Sequence, residues 1–385
     1  MIKRQIEKKV KELAKKYPVV LITGPRQSGK TTLAKTLFKN YHYYNLEDPV
    51  TRALIQDDPR LILSKSSEGI IIDEAQKYPE LFSHIQVHVD ERKERGKVIL
   101  TGSENLVLSE RVSQSLAGRV VGFTLLPLSV HELGSNKKIE NSPNSLMING
   151  FYPARVVENI DNNVFYTNYL SNYIERDVRQ LKNVGNLNDF TRFLMMLAGH
   201  VGQQINYEAI ASDLGIDRKT AMSWLSVLEA SYIVFQLPPY FENFGKRLTK
   251  RSKIYFYDTG LVCHLLGIRT KSELETHFVK GALFENLVIL EMLKAKFNIY
   301  IPVNFYYWRD NNAVEVDLLA DYGTWMRAIE IKSSQTYKND FIRNLNLFEK
   351  YIDKRVVQKW VVYGGENLST TNLKICNWKD FSYTE

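Results

Sequence analysis

The chain is poor in cysteine: it has only two in 385 residues, and Cys263 and Cys376 belong to no CxxC pair. That excludes a disulfide framework and a thiolate zinc site, and a reducing, cytoplasmic setting is expected. There is no run of about 18 apolar residues, the length a bilayer-crossing helix needs, so no membrane span is expected. The N-terminal stretch MIKRQIEKKVKELAKKYP lacks the uninterrupted apolar core of a secretory leader. Prolines number only 11, and 44% hydrophobic with 24% charged residues is the composition of a packed protein rather than a disordered one. Neither sign of charge is scarce. The 51 Lys and Arg against 43 Asp and Glu leave a net +8, which favours anionic partners without choosing among nucleotide, nucleic acid and lipid. A length of 385 residues exceeds what a single core organises, so two or three domains are expected.

What is present begins with Ile2, Ile6, Val10 and Leu13 at helical spacing among lysines, which reads as a solvated helix packed on the next domain, with contact to a membrane surface or DNA as the alternative. Then PVVLITGPRQSGKTTLAKTL matches GxxxxGK(S/T) at Gly24, Gly29, Lys30 and Thr31. The context fits, because Val19 to Thr23 is a β-branched run and TTLAKTLF reads as a helix. Glycines let backbone N–H groups close around phosphate oxygens, and the helix presents its positive end to the same anion. The loop Gly24, Pro25, Arg26, Gln27, Ser28, Gly29, Lys30, Thr31 and Thr32 is therefore the expected nucleotide cradle, with Lys30 on the β- and γ-phosphates and Thr31 on Mg²⁺.

Downstream, GIIIDEAQ is an apolar strand ending in two acids, which suits Asp73 as a Mg²⁺ holder and Glu74 as the residue that polarises the attacking water. The strand KVILTGS ends on Ser103, a position from which a hydroxyl would sense the γ-phosphate. Phosphoryl transfer also calls for a cation at the transition state, and Arg119 in SLAGR is the leading choice, with Arg111 and Arg26 as others. A finger supplied in trans would require an oligomer. Helical stretches at 30–39 and 79–95 between these strands predict a parallel sheet with helices on both faces.

Further along, YEAIASDLGIDRKTAMSWLSVLEASYIVFQLPPY reads as a helix, a turn at Leu214-Gly215-Ile216, a second helix capped by Asp217, and an aromatic strand. A basic loop carrying Lys246, Arg247, Lys250, Arg251 and Lys253 leads into KIYFYD, giving the pattern of a helix-turn-helix with a wing. Ala221, Leu225 and Leu228 should pack inward, while Arg218 and Lys219 would lead the second helix into a DNA groove and the basic loop would meet phosphates. Packing against a protein is the alternative use of such a module.

In GALFENLVILEMLKAKF, Glu291 and Lys294 mark the expected solvent face of a helix, and Glu285 falls on the opposite side among Val288, Ile289 and Met292. AVEVDLLAD and MRAIEIKSS read as a hairpin whose alternation puts Glu330 and Lys332 on one face and Ile329 and Ile331 on the other. Asp317 followed by Glu330-x-Lys332, with Glu285 on a preceding helix, is the layout of a Mg²⁺ nuclease: carboxylates hold a hard cation and the lysine positions water or steadies the phosphate. Glu315 shares a face with Asp317. The alternative is a salt-bridged β-surface.

The segments GPRQSGKTTL, IIIDEAQ, ILTGS, SLAGR, LLPLSVHEL, NGFYPA, YIERDV, YEAIASDLGIDRKTA, KIYFYDTGL, GALFENLV, YYWRD, EVDLL and IEIKSS run in order through nearly the whole chain. Together they resemble a prokaryotic family of AAA-type ATPases whose P-loop domain precedes a C-terminal region of unknown function, with a winged helix and a restriction-endonuclease-like PD-(D/E)xK core. The resemblance implies ATP binding by Gly24, Gly29, Lys30 and Thr31, with Asp73 and Glu74 on magnesium and water. It implies an endonuclease-like set at Glu285, Asp317, Glu330 and Lys332. Glu104 just after Ser103, and the bulky Tyr152, depart from the pattern.

The expected fold is α/β in three parts: a P-loop NTPase domain over 1–135, a helical and winged-helix domain over 136–268, and an α/β nuclease-like domain over 269–385. The expected function is ATP hydrolysis controlling a DNA-binding, Mg²⁺-dependent nuclease half. The alternative is a nucleotide-switched module that grips a protein through a catalytically inactive nuclease-like domain.

Overall fold

The computed structural model describes residues 2–103, 115–134, 142–174, 187–241, 251–352, 356–368 and 373–381. Glu104, Arg111, Lys246, Arg247 and Lys250 lie outside the described residues. Among the described residues, no helix is long and apolar enough to cross a membrane.

Short β-branched and aliphatic runs form the first sheet: β1 Val19–Thr23, β2 His42–Asn45, β3 Ile70–Asp73, β4 Val98–Gly102 and β5 Val120–Thr124. All neighbours are parallel, in the order β2-β3-β4-β1-β5. Alternate residues of β1 leave the sheet on opposite faces. Val20 and Ile22 join Ile6, Val10 and Leu33 beneath helices Glu7–Ala14 and Lys30–Leu37. Val19 and Leu21 join Ile55, Phe82 and Ile85 beneath helices Pro49–Asp57 and Leu81–Arg92. The sheet thus carries helices on both faces, and Thr23, Asp73 and Ser103 come out together at its carboxyl edge.

The middle of the chain is mainly helical. Helices Tyr207–Leu214 and Arg218–Ala230 are joined at Gly215, whose φ of +69° suits a residue without Cβ, and Asp217 caps the second by accepting from Thr220 N at 2.9 Å. Ala221, Leu225 and Leu228 are buried, whereas Arg218 and Lys219 are exposed. A two-stranded antiparallel sheet follows, β6 Val234–Leu237 with β7 Lys253–Phe256.

A mixed sheet closes the chain in the order β12-β11-β10-β9-β8, with β8 Asn304–Arg309, β9 Glu315–Asp321, β10 Trp325–Lys332, β11 Val356–Tyr363 and β12 Lys374–Asn377. The β9–β10 pair is antiparallel, with Met326 opposite Asp321. One face packs on helix Lys280–Ile299 through Leu318, Ile329 and Ile331, and the other on helix Arg343–Tyr351 through Val316, Met326 and Ala328. The first of these cores is continuous with that of the middle helices, running from Leu128 through Phe193 and Phe256 to Trp360.

Helix Lys280–Ile299 corrects one expectation. Glu291 and Lys294 do not face solvent: they are 3% and 1% exposed. They bond each other at 2.7 Å, Glu291 accepts from Val130 N at 2.8 Å, and Lys294 donates to Leu128 O at 2.7 Å. The helix is covered on almost its whole circumference, and the pair is tolerated inside because each charge has a counter-charge and a backbone partner.

Candidate nucleotide site and carboxylate cluster

Between β1 and helix Lys30–Leu37 the chain turns through Gly24 (φ +144°) and Gly29 (φ +93°), conformations that L side chains rarely adopt. Lys30 is 5% exposed, and its Nζ donates to the carbonyls of Gly24 at 2.9 Å and Pro25 at 2.8 Å. The first N–H groups of the helix have no intrahelical acceptor, which makes this turn a cradle for an anion. Ser28 Oγ is buried there without a hydrogen-bond partner. Thr31 Oγ1 donates to Asp73 at 2.9 Å, and Asp73 also accepts from Tyr43 Oη at 2.7 Å and from Thr101 Oγ1. A hydroxyl and a carboxylate joined at the end of β3 form an all-oxygen set of the kind Mg²⁺ takes with phosphate oxygens and water. Burial, reinforced by Asp73, pushes the Tyr43 phenol well above its ordinary pKa, so it stays a donor to that carboxylate.

Glu74 follows in a left-handed conformation (φ +55°), the cost of turning its side chain out at the strand end. Its Oε2 accepts from Ser103 Oγ at 3.2 Å and from Gln76 Nε2. Ser103 is therefore brought to the site, where it holds the acid. Arg119 is not. It precedes β5 and its carbonyl accepts from Val19 N, which puts it at the opposite edge of the sheet, in a two-bond ion pair with Asp90 at 2.6 and 2.8 Å. A five-residue strand separates Arg119 from the loop of the same chain.

Above the loop lies a cleft of about 690 Å³, and part of its lining went unrecognised in the sequence. Ile2, Leu128, Pro153, Ala154 and Val157 give it an apolar wall opposite Lys30 and Glu74. Arg4 reaches in from before the first helix: buried, it donates to Ser28 O at 2.9 Å and Leu126 O at 2.6 Å and pairs with Glu132 at 3.1 Å. The available signal was a lone arginine in a lysine-rich stretch; a planar fork of donors suits several fixed carbonyls, which an ammonium does not.

The second constellation gathers on β9, β10 and helix Lys280–Ile299. Asp317 Oδ2 accepts from Ile331 N at 2.7 Å and lies 3.4 Å from Lys332 Nζ, which also pairs with Glu330 at 2.6 Å. Glu285 accepts from Tyr255 Oη and from Lys253 Nζ at 3.0 Å, and Lys253 meets Glu315 at 2.6 Å. The structure thus brings Glu285, Asp317, Glu330 and Lys332 into one electrostatic group with Glu315 at its margin. Burial raises the carboxyl pKa of Glu285 and of Glu330, and the charge of Asp317 raises both further. Burial works against the charge on Lys253, but Glu285, Asp317 and Glu315 outweigh it and hold the ammonium.

Four carboxylates face two lysines, Lys253 buried and Lys332 about one-third exposed, and Glu330 Oε2 is buried without a hydrogen-bond partner. That donor set suits a hard divalent cation. Among the described residues, however, no three His, Cys, Asp or Glu side chains already converge as ligands. Lys253 is also corrected as a phosphate contact: at 3% exposure it is committed to the cluster and unavailable to DNA.

Three family models match successive stretches: an AAA domain over 16–134, a domain of unknown function (DUF8612) over 141–272, and a domain of unknown function (DUF4143) over 280–381. The uncharacterized protein Rv2008c of Mycobacterium tuberculosis is 33% identical over 369 residues, covering 95% of this chain and 80% of its own. The uncharacterized protein Mb2031c of Mycobacterium bovis matches with the same identity and coverage. Among solved structures, a Walker-type ATPase of Pyrococcus abyssi is 14% identical, covering 69% of this chain and 96% of its own with a TM-score of 0.46.

Proposed function

We propose, from the premise that the chain belongs to the family of the uncharacterized mycobacterial proteins Rv2008c and Mb2031c, that it is an ATP-hydrolysing AAA protein whose nucleotide state controls its C-terminal half. The observation that carries the first part is the contact of Thr31 with Asp73, with Glu74 poised beside it. Lys30 and the N–H groups opening its helix would hold the β- and γ-phosphates, Thr31 and Asp73 would hold Mg²⁺, and the apolar wall from Ile2 to Val157 would take the base. The bound nucleotide and Mg²⁺ supply the scissile phosphoanhydride and the charge that steadies its departing oxygens. Glu74 would then orient the attacking water, released from Ser103 and Gln76 when the γ-phosphate draws those donors away. Arg119 would contribute only from a second copy of the chain.

A buried polar path supports control of the C-terminal half. Ser28 O is held by Arg4, Arg4 pairs with Glu132, and Glu132 accepts from Ser129 N. The next residues along, Val130 N and Leu128 O, bond Glu291 and Lys294 on the helix that carries Glu285. At the output end we read a divalent-cation site formed by Glu285, Asp317 and Glu330 with Lys332, acting on DNA presented by the helix pair and β6–β7 as a winged-helix unit. The domain limits 1–135, 136–268 and 269–385 belong to this reading. A second reading, an interaction module with an inactive nuclease-like domain, is favoured by the lysines that already pair the carboxylates.

Glu74→Gln tests the assignment. Turnover should fall by roughly 10²-fold or more while ATP affinity stays within a few-fold of wild type, because the amide keeps the packing and loses the base. Loss of affinity together with turnover would show that Glu74 is structural. With this variant held in its ATP state, a bound DNA duplex should dissociate steeply with added salt. No retention at any salt concentration would leave the protein-interaction reading.

A further inference from the structure

We propose that Lys253 is the resident counter-cation of the C-terminal carboxylate cluster, an internal plug lent by the middle of the chain that a divalent cation must displace. This rests on reading the cluster as a cation site.

Lys253 is the first residue of β7 and belongs to the strand pair β6–β7, not to the sheet that carries the acids. Its ammonium nonetheless sits between carboxylates of two other elements, 3.0 Å from Glu285 on the long helix and 2.6 Å from Glu315 on β9. The lysine that the sequence assigns to the nuclease pattern, Lys332, is a different one, and it serves Asp317 and Glu330. The cluster therefore has one lysine of its own and one supplied from outside.

Charge explains why the outside lysine is needed. Glu285, Glu315, Asp317 and Glu330 carry four negative charges when ionised, against Lys332 within the group and Arg309 at its rim, 3.4 Å from Glu315. Without Lys253 the buried acids would repel each other or take up protons. Even with Lys253 in place, Glu330 Oε2 has no hydrogen-bond partner. A flexible four-carbon stem ending in a monovalent point charge is the kind of ligand that a divalent ion replaces with a gain in charge, the acids then closing from their present spacing onto the ion.

The plug also has a latch. Tyr307 Oη on β8 donates to Arg251 O at 2.5 Å and accepts from Gln204 Nε2 at 2.9 Å, pinning the start of β7 to the C-terminal sheet. Lys253 pairs with Leu237 at the terminal register position of the β6–β7 ladder. On its other side it is bridged by Gln204, with Ile205 N donating to Ser252 O at 3.0 Å and Ile254 N to Gln203 O at 3.1 Å, so withdrawing it means parting the start of β7 from both neighbours.

The test uses the full chain without nucleotide and Mn²⁺ as the probe, with uptake followed by electron paramagnetic resonance. At Mn²⁺ concentrations too low to fill the wild-type cluster, Lys253→Met should bind one more Mn²⁺ per chain than wild type, its affinity for that ion raised roughly tenfold or more by removal of the competing charge. Lys253→Arg should behave as wild type, and Asp317→Asn added to Lys253→Met should abolish the extra ion. Wild type binding that ion as tightly as Lys253→Met would overturn the plug and leave the cation site standing. No Mn²⁺ at the cluster in any variant would overturn both. Because Lys253→Met takes the buried counter-charge from Glu285 and Glu315 and can unfold the chain, a second measurement uses wild type: reductive methylation mapped by mass spectrometry. Lys253 should be protected without Mn²⁺ and modified once Mn²⁺ is bound; protection unchanged with Mn²⁺ bound would overturn the proposal.

Discussion

Replacing Lys30 by alanine is expected to lower ATP turnover by roughly 10²–10³-fold, the usual cost of deleting one preorganised charge donor at a transition state. Lys30 is buried at the start of its helix, and its ammonium already closes on the carbonyls of Gly24 and Pro25. Phosphate oxygens are stronger acceptors for an ammonium than those carbonyls, so the same group can turn to a triphosphate without repacking. The fold should survive, because alanine favours the helix and the sheet core lies beneath Leu33 and Ala34 rather than Lys30. Steady-state phosphate release from the purified variant, beside a matching circular dichroism spectrum, makes the comparison. Unchanged turnover would remove the P-loop from the chemistry.

Gly24→Ala is expected to cost about 3 kcal/mol or more of stability, because it combines backbone strain with a clash that cannot relax. At φ +144° a new Cβ would lie 2.2 Å from Leu125 O and 3.0 Å from its carbonyl carbon. Leu125 is fixed from the other side, since its N–H donates to Thr23 O at 2.8 Å where β5 runs beside β1. Gly29→Ala provides the contrast: its φ is also positive at +93°, but the nearest atom is 3.9 Å from the added Cβ, so only the conformational term remains. Thermal unfolding should rank wild type, Gly29→Ala and Gly24→Ala in that order. Equal melting temperatures for the two variants would mean that the β5 approach to the loop is not as close as described.

Much of the nucleotide end was legible in the sequence because its chemistry is local. Gly24 to Thr32 is one continuous stretch, and the apolar run of β3 announces Asp73 at its end and Glu74 just after it. The strand order was not legible, since β1 meets β4 and β5 across 79 and 101 residues of separation and nothing in a single chain records register at that range. The cleft wall was missed for the same reason: Ile2 and Arg4 meet Pro153 and Val157 only after folding. At the other end, the hairpin and its carboxylates followed from period-two alternation. Helical periodicity failed at Glu291 and Lys294, because an i,i+3 ion pair has the same spacing in water and inside a core. Composition failed at Lys253, where one lysine of a basic run sits between carboxylates of two other elements.

Hydrogen exchange on full-length Glu74→Gln, with ATP, with ADP and without nucleotide, tests most directly whether nucleotide state reaches the C-terminal half. The polar path from Ser28 through Arg4 and Glu132 ends on Glu291 and Lys294. ATP should therefore change amide protection in helix Lys280–Ile299 and in strands β9 and β10 as well as around the P-loop. Protection changes confined to residues 1–135, with the helix and strands indifferent to ATP, would contradict the account.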